Sequence, residues 1–342
     1  MSQESAEWLN TMTLQGFTDK RGEAWHYLAS AQGAEPNHYP GAIPKADVKR
    51  RLFSWEPVAG KVKTTFRAGG RSHTVEVPHL KSWCHPESYA VLGVVGIKAD
   101  HHSYAQWLLD NTQEILDVPS DQMGIGSAGL LKGGAVAWVQ VELEETIEGP
   151  GGIFHRPYVT AAAVLDGSMS TRYQDGSRLV VCDNTLSGAL AEDTNVVKFR
   201  RGAVFDANRA RIKLGQLYAN ADAVNAELDE LLNQPVSEDQ WEEFVAAHIG
   251  KKRPDTEGRG QTNWDNTHDA LTALYKNDPR VAPWTGTAAG AFLAVNTYNQ
   301  HERVVKGMSR PERNMMTMIT SGRDKEDAAA VATLRQVLQL AA

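Results

Sequence analysis

The sequence predicts an α+β fold in which an antiparallel β-meander packs on helices and the C-terminal half is helical. The first indication is alternation of apolar and polar residues between about residues 130 and 180, which is the period of β-strands. The second is Asp166-Gly167, a dipeptide typical of hairpin turns, which separates two of these runs. The third is helical spacing of the apolar residues from about residue 205 onward.

Length and composition indicate a globular chain with three regions. The 342 residues are 42% hydrophobic and 23% charged, as is usual for globular proteins. We expect an irregular β-containing lobe at 1–85, an α+β core at 86–220 and a helical region at 221–342. No window approaches eighteen uncharged apolar residues, and "MSQESAEWLNTM" lacks a secretory pattern. Only two cysteines favour a reducing compartment, so the sequence predicts a cytoplasmic protein without membrane contact.

In the N-terminal third, "KVKTTFRAG" and "SHTVEVPHL" are joined by Gly69-Gly70 and predict a hairpin. The continuous apolar run at 89–97 predicts a buried strand. A helix follows, with Ser103 as a possible N-cap and Pro119 beyond its end.

Three runs predict the meander. In "GLLKGGAVAWVQVELEE", Val139, Val141 and Leu143 share one face, and Gln140, Glu142 and Glu144 are predicted to face outward. "RPYVTAAAVLDGS" and "MSTRYQDGSRLVVC" supply the second and third strands, the third bent at Asp175-Gly176. "DNTLSGAL" predicts a helix that starts at a cap formed by Asp183 or Asn184.

The remaining sequence predicts helices. One long helix is expected from about residue 207 to Pro235. Ser237 and Gln240 form a capping box for the next helix, and Gly250 ends it. A polar loop follows, and further helices are expected at about 264–276, in "GTAAGAFLAVNTYNQHERVV" and in "KEDAAAVATLRQVLQL".

Two motifs could suggest a cofactor or a metal, and their context favours structural roles. Gly124 to Gly129 match G-x-G-x-x-G, but a dinucleotide site needs a strand before the glycines and a helix after them. The predicted order is the reverse, which favours a flexible entry to a hairpin. Cys84-His85 and His101-His102 are adjacent pairs whose side chains diverge, whereas zinc pairs are separated by two to four residues. We therefore expect no cofactor and no metal.

Cys182 ends an apolar strand run, and a nucleophilic role would need a neighbouring base. His155 is the nearest histidine in sequence, and nothing places it close, so a buried core cysteine is favoured. No catalytic residue is predicted, and we expect that the protein is not an enzyme.

Charge is distributed unevenly along the chain, whose formal net charge is −7. Residues 198–213 contain six basic residues and one acid, and residues 222–243 contain eight acids and no Lys or Arg. Both blocks are compatible with solvated helix faces. The alternative is a basic tract for a polyanion beside an acidic segment.

Several stretches resemble a family found in phages, prophages and plasmids, which is designated a domain of unknown function. They are "GEAWHYL", "LKGGAVAWVQVEL", "SRLVVCDNTLSGAL" and "GTAAGAFLAVNTYNQHERVV", and the resemblance covers nearly the whole chain. It implies a mobile-element protein that acts in a bacterial cytoplasm, and it implies no particular chemistry.

The predicted core also resembles that of ring-forming single-strand annealing proteins of the Redβ, RecT and Rad type. In that architecture a curved meander packs on a helix, and basic residues of successive subunits line a groove for nucleic acid. The resemblance implies DNA contacts in this chain from the basic residues of the meander and of the segment after it: Lys132, Arg156, Arg172, Arg178, Lys198, Arg200 and Arg201.

We therefore predict a protein that binds and anneals single-stranded DNA in phage recombination, as a homo-oligomeric ring or filament without a nucleotide cofactor. Lys and Arg would neutralise phosphates, while Tyr173 or Phe199 could stack on bases. A phage exonuclease is a possible partner, and Lys251-Lys252-Arg253 is a possible second DNA contact. The alternatives are an adaptor protein that acts through the acidic helical C-terminal half, and an enzyme whose site the sequence does not reveal.

Overall fold

The structure is a computed structural model that describes residues 9, 11–21, 30, 32, 34–142, 147–179, 185–187, 196–214, 217–250, 253–255, 257–320 and 322–339. The chain divides into two compact units. The first comprises Met1–Glu142, Val159–Gln174 and Val196–Gly215, and the second comprises Leu143–Tyr158, Asp175–Asn195 and Gln216–Ala342. Antiparallel sheets followed by helices confirm the predicted α+β class with a helical C-terminal half.

Most of a large sheet belongs to the first unit. With strands numbered in chain order, the sheet contains β1 (Thr13–Gln15), β5 (Ile125–Leu131), β6 (Val136–Glu142), β8 (Phe154–Val164), β9 (Thr171–Leu179) and β11 (Val196–Phe199). The start of β8 and the end of β9 belong to the second unit. The strands lie in the order β1-β5-β6-β8-β9, and β11 pairs antiparallel with β9. The predicted meander of β6, β8 and β9 is confirmed, and two further strands, β5 and β1, extend it beyond β6.

Both faces of this sheet are covered at its centre, because every residue of β5 and β6 is buried. The prediction that Gln140 and Glu142 face outward is therefore wrong, since their exposed fractions are 0% and 3%. The Gln140 side-chain oxygen accepts a hydrogen bond from Ser127 Oγ at 3.1 Å. Alternation gave the face of each residue but not whether that face meets water. Leu143 and Glu144 lie outside the described residues.

The G-x-G-x-x-G sequence leads into a hairpin, as predicted, because β5 pairs antiparallel with β6; from Ile125 onward its residues are buried in β5. A Cβ at Gly129 would lie 2.2 Å from Cη2 of Trp138, which is itself buried in β6. A Cβ at Gly124 would lie 2.5 Å from the carbonyl oxygen of Glu142. These two glycines allow close packing within the sheet.

A second, three-stranded sheet in the first unit contains β2 (Val58–Ala68), β3 (Arg71–Cys84) and β4 (Val91–Gly96). The predicted hairpin is confirmed: Gly69 and Gly70 form its turn, both with positive φ, at 58° and 76°. The predicted boundary at residue 85 falls inside this sheet, because β3 pairs with β4. Strand β4 is not fully buried as predicted, since Val91 is 65% exposed.

The helices of the first unit are short. They are α1 (Thr18–Arg21), α2 (Lys45–Leu52), a π-helical segment (Ala105–Asp110) that runs into α3 (Asn111–Leu116), and α4 (Ala207–Leu214). The predicted helix before Pro119 is confirmed and ends at Asp117, which is left-handed with φ 57°. Ser103 does not cap it through its side chain, because its hydroxyl donates to Glu56.

In the second unit, β7 (Ile147–Glu148) pairs with the start of β8, and β10 (Thr185–Ser187) pairs with the end of β9. The helix predicted in "DNTLSGAL" is therefore wrong for residues 185–187. Pairing with β9 satisfies their backbone groups, and this tertiary contact overrides the local capping pattern. Cys182, Asp183 and Asn184 lie outside the described residues.

The rest of the second unit is helical: α5 (Leu217–Leu232), α6 (Glu238–Ile249), α7 (Arg259–Asn277), α8 (Ala288–Thr297) with a π-helical continuation (Tyr298–Glu302), α9 (Arg310–Ile319) and α10 (Gly322–Leu338). The capping box of Ser237 and Gln240 is confirmed, as is Gly250 at the C-cap of α6. Within the one helix predicted from about residue 207 to Pro235, the structure describes α4 and α5; Gly215 and Gln216 between them lie outside the described residues. Helix α9 was not predicted.

Helix α8 is the centre of the second unit, since all ten of its residues are buried. Around it, α5, α6, α7 and α10 contribute apolar side chains to one cluster, in which Trp241 stacks on Tyr275 with ring centroids 4.0 Å apart. In the part of the chain that the structure describes, no helix combines the length and the apolar character needed to cross a membrane.

The close approach of β4 to the turn after β8 gives a stability prediction. We expect Gly93→Ala to lower the free energy of unfolding by about 1–3 kcal/mol, as overpacking in a core does. Its Cβ would lie 2.4 Å from Cα of Asp166 and 2.7 Å from the carbonyl oxygen of Leu165. Urea unfolding measures the effect. Gly96→Ala in the same strand is the control, since no atom lies within 4 Å of its Cβ; equal unfolding midpoints for the two variants would contradict the packing described.

Candidate nucleic-acid interface

The hairpin of β2 and β3 extends into solvent as a two-stranded ribbon. We call residues 61–81 the basic ribbon, because they contain five Lys and Arg residues against one acid, Glu76. Nearly every side chain from Lys63 to Glu76 is exposed, on both faces of the strands. The Gly69-Gly70 turn and the cross-strand pairs hold this shape, since the outer part has no core of its own.

The strand register gives the basic ribbon two different faces. Lys63 lies opposite Glu76 and Arg67 opposite Ser72, which places these side chains on one face. Lys61 joins them, because its Nζ lies 3.1 Å from Glu76 Oε2. This face therefore presents three cations and one carboxylate to solvent. Both side chains of the Lys61–Glu76 ion pair are exposed, so the pair contributes little to stability. The face keeps an excess of positive charge.

The opposite face carries an exposed aromatic pair. Phe66 lies opposite His73, with ring centroids 5.6 Å apart and planes 23° from parallel. Phe66 is 48% exposed and its neighbour Val75 is 46% exposed. An accessible flat apolar surface beside cations is what a nucleic-acid base can stack on.

At the inner end of the ribbon, a lysine, two aromatic rings and a carboxylate contact one another in sequence. Lys81 Nζ lies 4.3 Å from the ring centroid of Trp83, a cation–π contact. Trp83 in turn meets the ring of His101 edge-on at 4.9 Å, and His101 Nε2 lies 2.9 Å from Glu56 Oε2. These contacts tie the ribbon to the loop that precedes the helix at 105–116.

Two of the predicted DNA-binding residues meet at the turn between β8 and β9. Lys132 Nζ lies 2.9 Å from Asp166 Oδ2, and the Arg201 guanidinium lies 3.5 Å from the position of a Cβ on Gly167. Burial would raise the pKa of Asp166, but hydrogen bonds from Ser168 and Lys132 outweigh it and lower the pKa. Lys132 is thus already engaged with a carboxylate, although its side chain is 45% exposed.

The other predicted basic residues differ in their exposure. Lys198 and Arg200 are exposed, at the end of β11 and just after it. Arg156 and Arg172 are buried, with 8% and 9% exposed, so they do not present an open surface for phosphates as predicted. They point into covered faces of strands β8 and β9. The side chain of Arg178 lies outside the described residues, so its prediction stays untested.

Lys251 and Lys252, from the possible second DNA contact, also lie outside the described residues. The third residue of that group, Arg253, forms an ion pair with Asp265, with Nε 2.6 Å from Oδ1.

The prediction that Tyr173 or Phe199 stacks on bases is wrong, because both are buried, with 0% and 2% exposed. The Tyr173 hydroxyl donates to the carbonyl oxygen of Trp107 at 2.6 Å. Phe205 contacts both rings and Trp107, and together they form an aromatic core under β9 and β11.

The histidines considered for a metal have other contacts. His85 packs on Trp55, and His102 is sandwiched flat against Trp107 at a centroid distance of 3.6 Å. His102 Nδ1 lies 2.8 Å from Thr171 Oγ1. Within the described residues, no group of three or more His, Cys, Asp or Glu side chains is arranged to hold a metal ion.

The basic ribbon was missed from the sequence, although a signal exists. Its five cations are spread over twenty-one residues, whereas the six basic residues of the block at 198–213 lie within sixteen. A charge count over the predicted hairpin would have found five basic residues with one acid in a chain of net charge −7.

Comparison with known proteins identifies a family. A family profile described as "Domain of unknown function (DUF932)" matches residues 91–331, more than two thirds of the chain. The match begins at β4 and includes Lys198, Arg200 and most of α10, while the basic ribbon precedes it. No curated protein and no solved structure matches the chain.

The environment of His102 predicts its titration. Burial, and then the charge of Arg201, lower the pKa of His102 to about 4, so we expect a neutral ring above pH 5 in histidine NMR spectra. An unfolded histidine protonates near pH 6.5, so this group makes the fold less stable as the pH falls from about 6.5 to 4 and has no effect above.

Arg201→Ala should raise the pKa of His102, because it removes one of the causes of the shift. Arg200→Ala is the matched control, since Arg200 is adjacent and exposed and is not among those causes. An identical His102 titration in the two variants would show that Arg201 is not near the ring.

Proposed function

We propose that this chain, which belongs to the DUF932 family, binds single-stranded DNA through the basic ribbon and anneals complementary strands. The observation that carries the proposal is the ribbon itself, which exposes cations on one face and an aromatic pair on the other. We further propose that it acts without a nucleotide cofactor and is not an enzyme. The setting proposed is recombination of a phage or another mobile element in a bacterial cytoplasm.

The electrostatic part of the argument is a contrast of charge. Five basic residues against one acid occupy the basic ribbon, although the chain as a whole carries −7. A polyanion is repelled by the chain on average and is attracted at the ribbon, so its contact is localised there. Lys and Arg that neutralise phosphates release counterions, which makes such binding steeply dependent on salt.

The aromatic part of the argument favours single strands over duplexes. Phe66 and His73 offer an exposed stacking surface, and only an unpaired base can place its flat face on it. Cations on the other face of the same ribbon can then engage the backbone. Contacts of these two kinds are insensitive to base sequence, and annealing of arbitrary strands requires that insensitivity.

Annealing also needs a longer binding surface than one ribbon provides. Even a complete OB-fold covers only about 4–16 nucleotides. We propose a homo-oligomer, a ring or a filament, in which ribbons and the exposed Lys198 and Arg200 of successive subunits follow one strand. A phage exonuclease that supplies single strands is the partner proposed.

A second candidate function is that of an adaptor protein, which the acidic helices favour. Residues 222–243 contain eight acids and no Lys or Arg, and most of these acids are exposed on α5 and α6. Such a surface suits a basic protein partner rather than DNA. If the protein is an adaptor, we expect it to capture a basic protein partner and to have no affinity for oligonucleotides.

Binding of a labelled single strand of about 40 nucleotides, several site sizes long, tests the first function. We expect Lys63→Glu/Arg67→Glu to weaken binding at least about tenfold and to lower the salt slope by about 1.4, since each phosphate contact contributes about 0.7. The control is Arg259→Glu/Lys306→Glu, with the same change in net charge at two exposed residues of the second unit. Equal losses in the two variants would show that only net charge matters.

Two further variants locate the rest of the interface. Phe66→Ala should weaken single-strand binding about 5- to 150-fold and leave duplex binding unchanged, because stacking contributes about 1–3 kcal/mol per base. Arg200→Ala/Arg201→Ala should weaken both. Negative-stain imaging of the unmodified protein with and without DNA shows whether it forms an oligomer that binds single strands. If an oligomer forms but binds no single strand at low salt, annealing is excluded and the adaptor is favoured.

A further inference from the structure

Three arginines converge on one glutamate in the helical unit. Oε1 of Glu326 in α10 forms ion pairs with Arg303 Nη1, at 3.1 Å, and with Arg313 Nη2. Oε2 of the same residue lies 3.1 Å from Arg323 Nη1. One carboxylate balances one of these charges, so positive charge is in excess around Glu326. Because Arg313 and Arg323 are largely buried, water screens this excess less than at the surface, and a bound anion would offset it.

Arg323 is the most enclosed of these residues, with 1% of its side chain exposed. Its Nη1 is occupied by Glu326, but Nε and Nη2 have no hydrogen-bond partner among the described residues. These two N–H groups form one edge of the guanidinium fork, which matches two oxygens of a phosphate or carboxylate. Buried N–H donors without acceptors cost free energy. A group with two acceptor oxygens at this edge would remove that cost.

A second arginine repeats the pattern nearby. Arg310 lies one turn before Arg313 on α9; its Nη2 donates to the carbonyl oxygen of Glu302, while its buried Nε has no partner among the described residues. Burial lowers the pKa of the Arg313 guanidinium in spite of Glu326. Of the neighbouring acids, Asp327 accepts a hydrogen bond from Asn296 Nδ2 at 3.0 Å, and Glu312 caps α9 at Ser309.

We infer that the Nε–Nη2 edge of Arg323, together with Arg313, binds a phosphate-type oxyanion, either inorganic phosphate or the phosphate of a small monoester. A phosphate group carries about −1.5 to −2 charges at pH 7, which matches the excess around Glu326. Arg303 is the C-cap residue directly after the π-helical segment that continues α8, and such segments are frequent at functional sites. All these residues lie in the second unit, so the site is independent of the basic ribbon.

Titration calorimetry of the full chain with inorganic phosphate, against chloride of equal ionic strength, tests this inference. We expect saturable binding of phosphate and none of chloride. A parallel titration with a nucleoside 5′-monophosphate identifies the source: tighter binding than phosphate indicates a monoester ligand, and weaker binding indicates free phosphate. No saturable heat with either compound would overturn the inference and assign the unpartnered donors to buried water.

Two variants separate binding from a structural role. Arg323→Lys keeps the charge and loses the fork, so phosphate binding should weaken about tenfold or more, while the exposed control Arg259→Lys should bind as the unmodified chain does. Glu326→Gln should bind phosphate several-fold more tightly, because it removes the competing carboxylate, even if it melts at a lower temperature. Unchanged or weaker phosphate binding by Glu326→Gln would contradict the proposed site.

Discussion

The close approach of β4 to the turn after β8 is the constraint on which the first unit depends. Gly93 has no Cβ, and this lets β4 lie against Leu165 and Asp166 of the large sheet. Through β4 and its partner β3, that contact sets where the basic ribbon emerges. Asp166 also engages Lys132, so one turn positions two separate groups of cations in this unit.

Features that depend on a few adjacent residues were predictable from the sequence. The Gly69-Gly70 turn and the capping box of Ser237 carry their own physical cause, because the backbone groups they satisfy lie within four residues. Features that depend on distant residues were not predictable. Glu142 is buried because other parts of the chain cover the sheet, and residues 185–187 form a strand because β9 offers an edge.

The candidate sites divide in the same way. Lys198 and Arg200 were predicted because their charges are dense in the sequence, and both are exposed. The buried Arg172 belongs to the same type of residue, and only the fold distinguishes it. The arginine cluster at Glu326 combines residues from three segments, one of which is the unpredicted helix α9, so no spacing rule could have revealed it.

The basic ribbon buries little surface beyond its inner end. A change in its length therefore has little effect on the stability of the protein. Whole cross-strand pairs could be gained or lost near Gly69-Gly70 without a change in the β3–β4 pairing that anchors the sheet. Packing likewise places little restriction on the side chains of the basic ribbon. Reach and charge of this arm can therefore diverge between related chains while the rest of the first unit keeps its architecture.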